Sequence, residues 1–409
     1  MHEGRIIKYF RKKAKLTQQQ LGDGICSDTH VSKIERGMTE YSPEVTFLLS
    51  KRLGINIEEE LSRFHNLKKI LARWHDAIIM QRSEVIETIK EELDKEELIK
   101  ISEYQILYDL LRARYHLLRN NLIEADIIIK NIQKAQRKLP PYESNLLKHI
   151  LGMYYLANKD MIKAVNILRS INSDDYNNPE YYLTLSTAYL AVNSKIMAYY
   201  YAELSLQFFL KTNNYLRGID AEMIMLITRE GEGQRDFQKI VEQYEALIQI
   251  CDLCHAHDKK AKVLHNLAEE HYCRKDYKAS SRLFHKSMLL KEKKSAEYLI
   301  SLEAFILCCF EGSILSKDKL EKLGNEGLVI AREINQGLHS INLQLLLLRI
   351  NNQHTEYYHF LSTKALPYYK KCGYVTIVKQ YEKELFNYHL KTRQIDDALK
   401  LADLLINNG

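Results

Sequence analysis

The 409-residue sequence is poor in the residues that interrupt helices. It has 15 glycines and 5 prolines (Pro43, Pro140, Pro141, Pro179 and Pro367), so long helices can run unbroken. Alternating β-branched runs are scarce, which argues against a sheet-based fold. Leu, Ile, Lys, Glu and Tyr dominate instead, and this composition predicts an all-α protein. The seven cysteines (Cys26, Cys251, Cys254, Cys273, Cys308, Cys309 and Cys372) are odd in number and lack a framework spacing. That argues against a disulfide scaffold and fits a reducing cytoplasm. No apolar run approaches the roughly 18 residues of a membrane span. The N-terminus carries charge where a signal peptide needs an apolar stretch. There is no Walker loop, GxSxG, HExxH or Gly-rich nucleotide loop. We therefore expect a soluble cytoplasmic protein that is not an enzyme and needs no cofactor.

A net charge of +6 is too weak by itself to argue for nucleic acid. Its distribution says more. RIIKYFRKKAK, residues 5–15, holds six Lys/Arg and no acid, while the remainder is close to balanced. A basic block on one small domain is what phosphate contact requires.

The first 60 residues read as four short helices. The first covers about Gly4–Lys13, with Ile6, Ile7 and Phe10 on one face. Thr17-Gln-Gln-Gln20 is a capping-box pattern that starts a second helix at Gln18. A turn at Asp23-Gly24 follows, and Ser27 N-caps a third helix ending near Gly37. Ser42-Pro43, cap and N1 proline, opens a fourth helix through Leu53. Two short helices joined by a tight turn make a helix-turn-helix. Leu21, Ile25, Val31 and Ile34 are expected inside, with Phe47, Leu48 and Leu53 packed beneath. The outward face of the third helix then presents Asp28, Thr29, His30, Ser32 and Lys33, which suit base edges in a major groove. Gln18, at the start of the second helix, is placed to meet a phosphate. Cys26 and His30 are not a catalytic pair: Cys26 fills the turn and His30 faces out. The pattern LTQQQL…SDTHVSKIERG…SPE…LSKRLGI resembles the Cro/CI-type helix-turn-helix family, with double-stranded operator DNA as the implied partner. The Leu21–Val31 segment is one residue shorter than the common form, as in PlcR-like peptide-regulated transcription factors.

From residue 62 the sequence is a succession of helix pairs. Residues 258–291 form the clearest unit, with Leu264, Leu267 and Ala268 in a first helix and Tyr277, Ser280, Phe284 and Ser287 in a second. Small residues let antiparallel helices approach, and aromatics fill the space to the next pair, as in a tetratricopeptide repeat. The spacing recurs around Ala113, Leu122 and Ala125, around Gly152, Met161 and Ala164, and around Ser186, Tyr189, Ala198, Ala202 and Ser205. Degenerate units at 66–95, 215–253, 296–335, 336–372 and 374–407 bring the total to about nine pairs. The expected fold is a helix-turn-helix domain at 1–61 followed by a right-handed tetratricopeptide superhelix at 62–409. First helices would line its groove, which suits an extended peptide. Asn side chains both donate to and accept from a peptide backbone, and Asn266 is the leading contact, with Lys262, Glu269 and Tyr272 on its face. Arg114, Glu303 and Asn342 are candidates from other pairs. Each could equally be an ordinary solvated residue.

CDLCHAHD, residues 251–258, contains C-x-x-C-H, a haem or metal signal in other settings. No second ligand pair stands at the right spacing, so no metal is expected there. Cys308 and Cys309 read as core. LLLLRI (345–350) and ALKLADLLI (398–406) could be a dimer seam or packing of the last repeats.

Taken whole, the chain resembles the Rap/NprR/PlcR/PrgX family of quorum-sensing receptors, most of all its NprR-type members in length and in its intact head. That resemblance implies a short re-imported signalling peptide bound in the groove and a homo-oligomer, a dimer or a peptide-bound tetramer, whose DNA binding the peptide switches. It also implies a second reading, sequestration of a response regulator of the sporulation phosphorelay. Both readings stay open, separately or in one protein.

Overall fold

The structure is a computed structural model that describes residues 2–38, 42–135, 139–229, 236–372 and 374–407, the side chains of 375, 376 and 403–407 excepted. Every regular element among them is helical. The chain forms two compact units, residues 1–188 and 189–409.

The first unit opens with α1 (His2–Lys13), α2 (Gln18–Gly22), α3 (Asp28–Arg36) and α4 (Pro43–Leu53). Local chemistry sets each boundary. Thr17 and Gln20 complete the capping box, Gln20 N–H donating to Thr17 Oγ1 at 3.1 Å and Thr17 N–H to Gln20 Oε1 at 2.8 Å. Ser27 Oγ accepts from His30 N–H at 3.2 Å. Gly37 and Gly54, at φ 66° and 68°, close α3 and α4 in the left-handed conformation that glycine adopts without strain. Ile7, Leu21, Val31, Ile34 and Leu49 form the core, with Ile25, Cys26 and Leu53 at its margin. Phe47 and Leu48 do not pack beneath it as expected: they are 62% and 39% exposed. The core takes the Val45–Leu49–Leu53 stripe of α4, spaced four residues apart, which turns Phe47 to solvent.

α5 (Ile57–Ile79) runs unbroken past residues 61 and 62 and pairs with α6 (Ser83–Lys95). Phe64, Leu67, Leu71, Trp74 and Ile78 form its buried stripe, and Trp74 Nε1 donates to Ile86 O at 3.1 Å. α7 (Gln105–Leu118) with α8 (Leu122–Lys134), and α9 (Pro141–Ala157) with α10 (Met161–Arg169), continue the series. Gly152 permits the last contact: a Cβ there would lie 2.4 Å from Leu168 Cδ2. The division between the units falls within α11 (Pro179–Ala191).

The second unit holds α12 (Lys195–Lys211), α13 (Tyr215–Thr228), α14 (Phe237–Leu253), α15 (His257–Cys273), α16 (Tyr277–Leu289), α17 (Ala296–Glu311), α18 (Lys317–Glu333) and α19 (Gly337–Ile350). α20 (His354–Phe360) and α21 (Leu366–Lys371) follow, joined by a π segment at Leu361–Ala365, and α22 (Val375–Lys391) and α23 (Ile395–Asn407) end the series. Pro367 explains the π segment, because it removes a donor and crowds the preceding turn. Among the described residues α5 packs on α6, α7 on α8 and α9 on α10 in the first unit, and α13 packs on α14, α15 on α16, α17 on α18, α19 on α20 and α22 on α23 in the second. Ser280, Phe284 and Ser287 of α16 are buried against α15 and its neighbours, as are Ala261, Leu264, Leu267 and Ala268. Turns within pairs share one device. Gln81, Asn120, Lys159, Asn193, Lys275, Ser313, Asn352 and Arg393 all have φ between 51° and 62°. A single left-handed residue ends one helix, and often the next residue caps the following one, as Asp160 and Asp276 do.

Leu345, Leu347 and Ile350 of the 345–350 segment are core residues. In the 398–406 segment, Ala398 is buried and Leu399 is exposed, and the side chains of 403–406 lie outside the described residues.

Candidate functional site

On the face expected from sequence to meet DNA, Asp28, Thr29 and Lys33 are exposed on α3, with His30 and Ser32 half-exposed beside them. Thr29 Oγ1 donates to Asp28 Oδ1 at 3.3 Å, and Arg36 Nη2 donates to Ser32 Oγ at 3.1 Å. Arg36 thus joins this face as an exposed cation that the sequence reading left out. Gln18 is held inward, its Nε2 donating to Glu35 Oε2 at 2.8 Å. Glu35 is 5% exposed and takes a bidentate fork from Arg11, at 2.5 Å from Nε and 3.0 Å from Nη2. Arg11 Nη1 also donates to Leu16 O at 2.7 Å, so one guanidinium fixes α1, the α2 entry and α3 together. The signal for it was an acid, Glu35, on the buried stripe of α3 beside Val31 and Ile34. Arg52 performs a similar task on the carbonyls of Leu21, at 2.9 Å, and Asp23.

The basic block of residues 5–15 is divided in its use. Arg11 serves Glu35, Arg5 pairs with Glu103 at 3.3 Å and Lys13 pairs with Glu97, which leaves Lys8, Lys12 and Lys15 exposed and unspent on those acids. Burial pushes the Cys26 thiol up, so it is poorly suited to act as a nucleophile.

The second unit contains a cavity of about 350 Å³. Its walls come mainly from the first helices of four successive pairs, α15, α17, α19 and α22. It brings together Glu269, Tyr272, Glu303 and Asn342, four of the groove residues expected from sequence. The Glu303 carboxylate accepts from Asn342 Nδ2 at 2.9 Å and lies 2.8 Å from His339 Nδ1, while Tyr369 Oη donates to Asn342 Oδ1 at 2.7 Å. Tyr272 Oη donates to Glu311 Oε2 at 2.6 Å, and Arg349 Nη2 reaches Glu311 Oε1 at 3.3 Å. Burial raises the pKa of Glu269 and of Glu303, the latter opposed by His339 and Asn342. Burial also lowers His265 to about 4, where its Nδ1 faces Ser301 Oγ at 2.9 Å.

Lys262 and Asn266 lie outside the cavity lining, two turns and one turn back along α15 from Glu269. Lys262 is exposed. Asn266 is half-buried, and its side chain makes no hydrogen bond to the described residues. Arg114 belongs to the first unit and is 6% exposed. Its guanidinium grips Glu180, with Nε to Oε2 at 3.2 Å and Nη2 to Oε1 at 2.5 Å, so its donors face a buried carboxylate rather than a groove. Around that pair runs a polar network that the sequence reading missed. His149 bridges Tyr176 Oη and Thr184 Oγ1, both at 2.9 Å, and Asn178 Nδ2 donates to Tyr176 Oη at 2.9 Å. In the CDLCHAHD stretch, Cys251 packs against Tyr244 and Leu247 with its thiol pushed up to about 11, and His255 occupies a left-handed turn.

A Helix-turn-helix family model matches residues 7–59. The chain is 23% identical over 402 residues to the Transcriptional activator NprA of Geobacillus stearothermophilus, covering 93% of this chain and 96% of that protein. Among solved structures, NprR in complex with its cognate peptide NprX aligns with a TM-score of 0.69 at 18% identity, covering 84% of this chain and 98% of that one. The apo form of the quorum sensor NprR from B. thuringiensis aligns at 0.65 and 18%, covering 86% and 99%. A Rap protein complexed with competence and sporulation factor aligns at 0.68 and 14%, covering 84% and 97%. At these identities the structural likeness is one of fold. The chain thus has a helix-turn-helix head, is similar along nearly its whole length to a transcriptional activator, and shares the helix-pair fold of NprR and Rap.

Proposed function

We propose that the chain is a transcription regulator whose DNA binding and oligomeric state are switched by a short signalling peptide held among the repeats. The observation that carries this reading is the cavity: Glu269 and Tyr272, placed on one groove face by helical spacing, and Glu303 and Asn342, candidates from neighbouring pairs, converge on one space with aromatic and aliphatic walls. The peptide named in the NprR complex supports the ligand class. Residues 1–61 act as the DNA-binding head, with Asp28, Thr29, His30, Ser32 and Lys33 reading bases, while Gln18 is engaged by Glu35. Residues 62–409 act as the receptor. Peptide binding shifts the population of one arrangement of two heads over another, and so the half-site spacing that the dimer fits.

The test is fluorescence anisotropy at fixed salt, with DNA from around the protein's own gene. It is run with and without the small-peptide fraction of spent culture medium. Peptide-dependent binding that resists competitor DNA supports the proposal. Sequence-blind binding that ignores the peptide refutes it and turns attention to capture of a phosphorelay response regulator.

A further inference from the structure

Lys291 stands half-buried between α16 and α17 of the second unit. Its Nζ donates to Ser301 Oγ at 2.6 Å, and Ser301 is fully buried. Ser301 Oγ also lies 2.9 Å from His265 Nδ1 and 3.2 Å from Ser287 Oγ. Ser287 spends its one proton on Ala261 O at 2.7 Å, so Ser301 donates to His265 or Ser287 and accepts from Lys291. Among the described residues no carboxylate forms an ion pair with Lys291. Lys259, by contrast, has Asp220 at 2.5 Å. Burial pushes the Lys291 ammonium down to about 8, with Glu297 of α17 opposing the shift and Lys262 of α15 adding to it. Lys262 is exposed and also pairs with no acid among the described residues.

An amine held on a neutral hydroxyl is suited to act as a nucleophile. As the free base it keeps one N–H on Ser301 and offers its lone pair to an electrophile. At pH 7.5 its free-base fraction exceeds that of an ordinary lysine by about two powers of ten, and its weaker basicity takes back about one. Half-burial favours a small acyl donor over a bulky one. Two ammonium groups without acids of their own attract a donor whose leaving group is anionic. A small acyl phosphate has both properties.

We propose that Lys291 is an acylation site for a small acyl phosphate, with Lys262 holding the phosphoryl group and the new amide removing the charge behind His265 at the cavity wall. The free amine attacks the acyl carbon. The N–C bond forms, the C–O bond to phosphate breaks, and the amine proton leaves with the phosphate as hydrogen phosphate. The product amide keeps one N–H for Ser301 and carries no charge. His265 lines the cavity, and after burial the Lys291 charge is what lowers its pKa, so acylation returns that ring toward its ordinary range.

The test incubates the full-length protein with acetyl phosphate at pH 7.5. Acetylation of each lysine is followed by mass spectrometry after the remaining amines are capped with deuterated acetic anhydride. Exposed Lys286 is the internal reference. Lys291 should react about tenfold faster than Lys286. Lys262→Gln should slow the reaction at Lys291 about threefold more with acetyl phosphate than with the uncharged donor p-nitrophenyl acetate. In NMR spectra the His265 ring should titrate at higher pH in the acetylated protein and in Lys291→Gln than in the parent, with an unchanged helical melt confirming folding. Reaction of Lys291 no faster than Lys286 overturns the site, and needs no variant to be read. Equal slowing with both donors overturns the part given to Lys262. An unmoved His265 titration overturns the link to the cavity wall.

Discussion

The pair between Arg114 and Glu180 offers the sharpest test of the physical reasoning. Both side chains are more than nine-tenths buried, at 6% and 2% exposed, and the contact is bidentate. Glu180 also stands in the first turn of α11, where the helix dipole favours its charge. Arg114→Leu removes the carboxylate's bidentate donor, and Glu180→Leu removes the guanidinium's bidentate acceptor. Each should cost about 3–5 kcal/mol, because a buried charge without its partner keeps its desolvation penalty. The double variant removes both charges and replaces them with apolar groups, so it should lie within about 1 kcal/mol of the parent or above it. The expected coupling is therefore several kcal/mol and of opposite sign to additivity. Trp74 makes the assay direct. It is the single tryptophan, fully buried in the same unit, so its fluorescence in a urea titration follows that unit. A single change costing less than about 1 kcal/mol, or a double variant as unstable as the sum of the singles, would refute the argument. The groove role that sequence assigns to Arg114 predicts the reverse: unchanged stability and weakened peptide binding.

Thr29→Ala and Lys33→Ala should each cost about 1–3 kcal/mol of operator discrimination in competition anisotropy, since base contacts carry the sequence information. Loss of affinity that is equal on all sequences would make them backbone contacts instead. Asn266→Ala should weaken binding of the peptide fraction without lowering the melting temperature, because its half-buried amide holds no other described group. Normal binding by that variant would remove Asn266 from the site. Gly312→Ala should destabilise the second unit by about 1–3 kcal/mol in chemical denaturation, because the new Cβ would stand 2.4 Å from Tyr277 Cβ, which is tied to its backbone. His265 has a folded pKa of about 4, below its unfolded value near 6.5, so the unfolded chain binds its proton first as pH falls. Its contribution is fully present above about pH 6.5 and is lost toward pH 4, by about 3 kcal/mol. His265→Gln should therefore flatten the dependence of unfolding midpoint on pH over that window, and an unchanged slope would contradict the assignment.

Much of the fold was legible because its instructions are local. Thr17 and Gln20, Ser27 and His30, and Ser42-Pro43 mark helix starts through groups at most three residues apart. The small residues of the repeats, such as Gly152, which admits Leu168, and the buried Ser280, recur at helical spacing, and that spacing survives as a pattern along the chain. Convergence of Glu269 with Tyr272 also follows from their positions on one helix face.

Where apolar residues stand on more than one side of a helix, periodicity alone does not choose between them, and α4 is the case in point. Val45, Phe47, Leu48, Leu49 and Leu53 surround it, and only the shape of the core selected Leu49 and exposed Phe47. Polar side chains that could face water or a partner were equally undecided. Gln18 turned to Glu35, 17 residues away, and Arg114 turned to Glu180, 66 away. Glu303, His339, Asn342 and Tyr369 met across three helical segments. The sequence by itself determined the helices, their caps and their pairing, because these depend on neighbours along the chain. Tertiary structure alone decided which polar groups are spent on one another and which line the cavity, because a buried charge finds its partner through space.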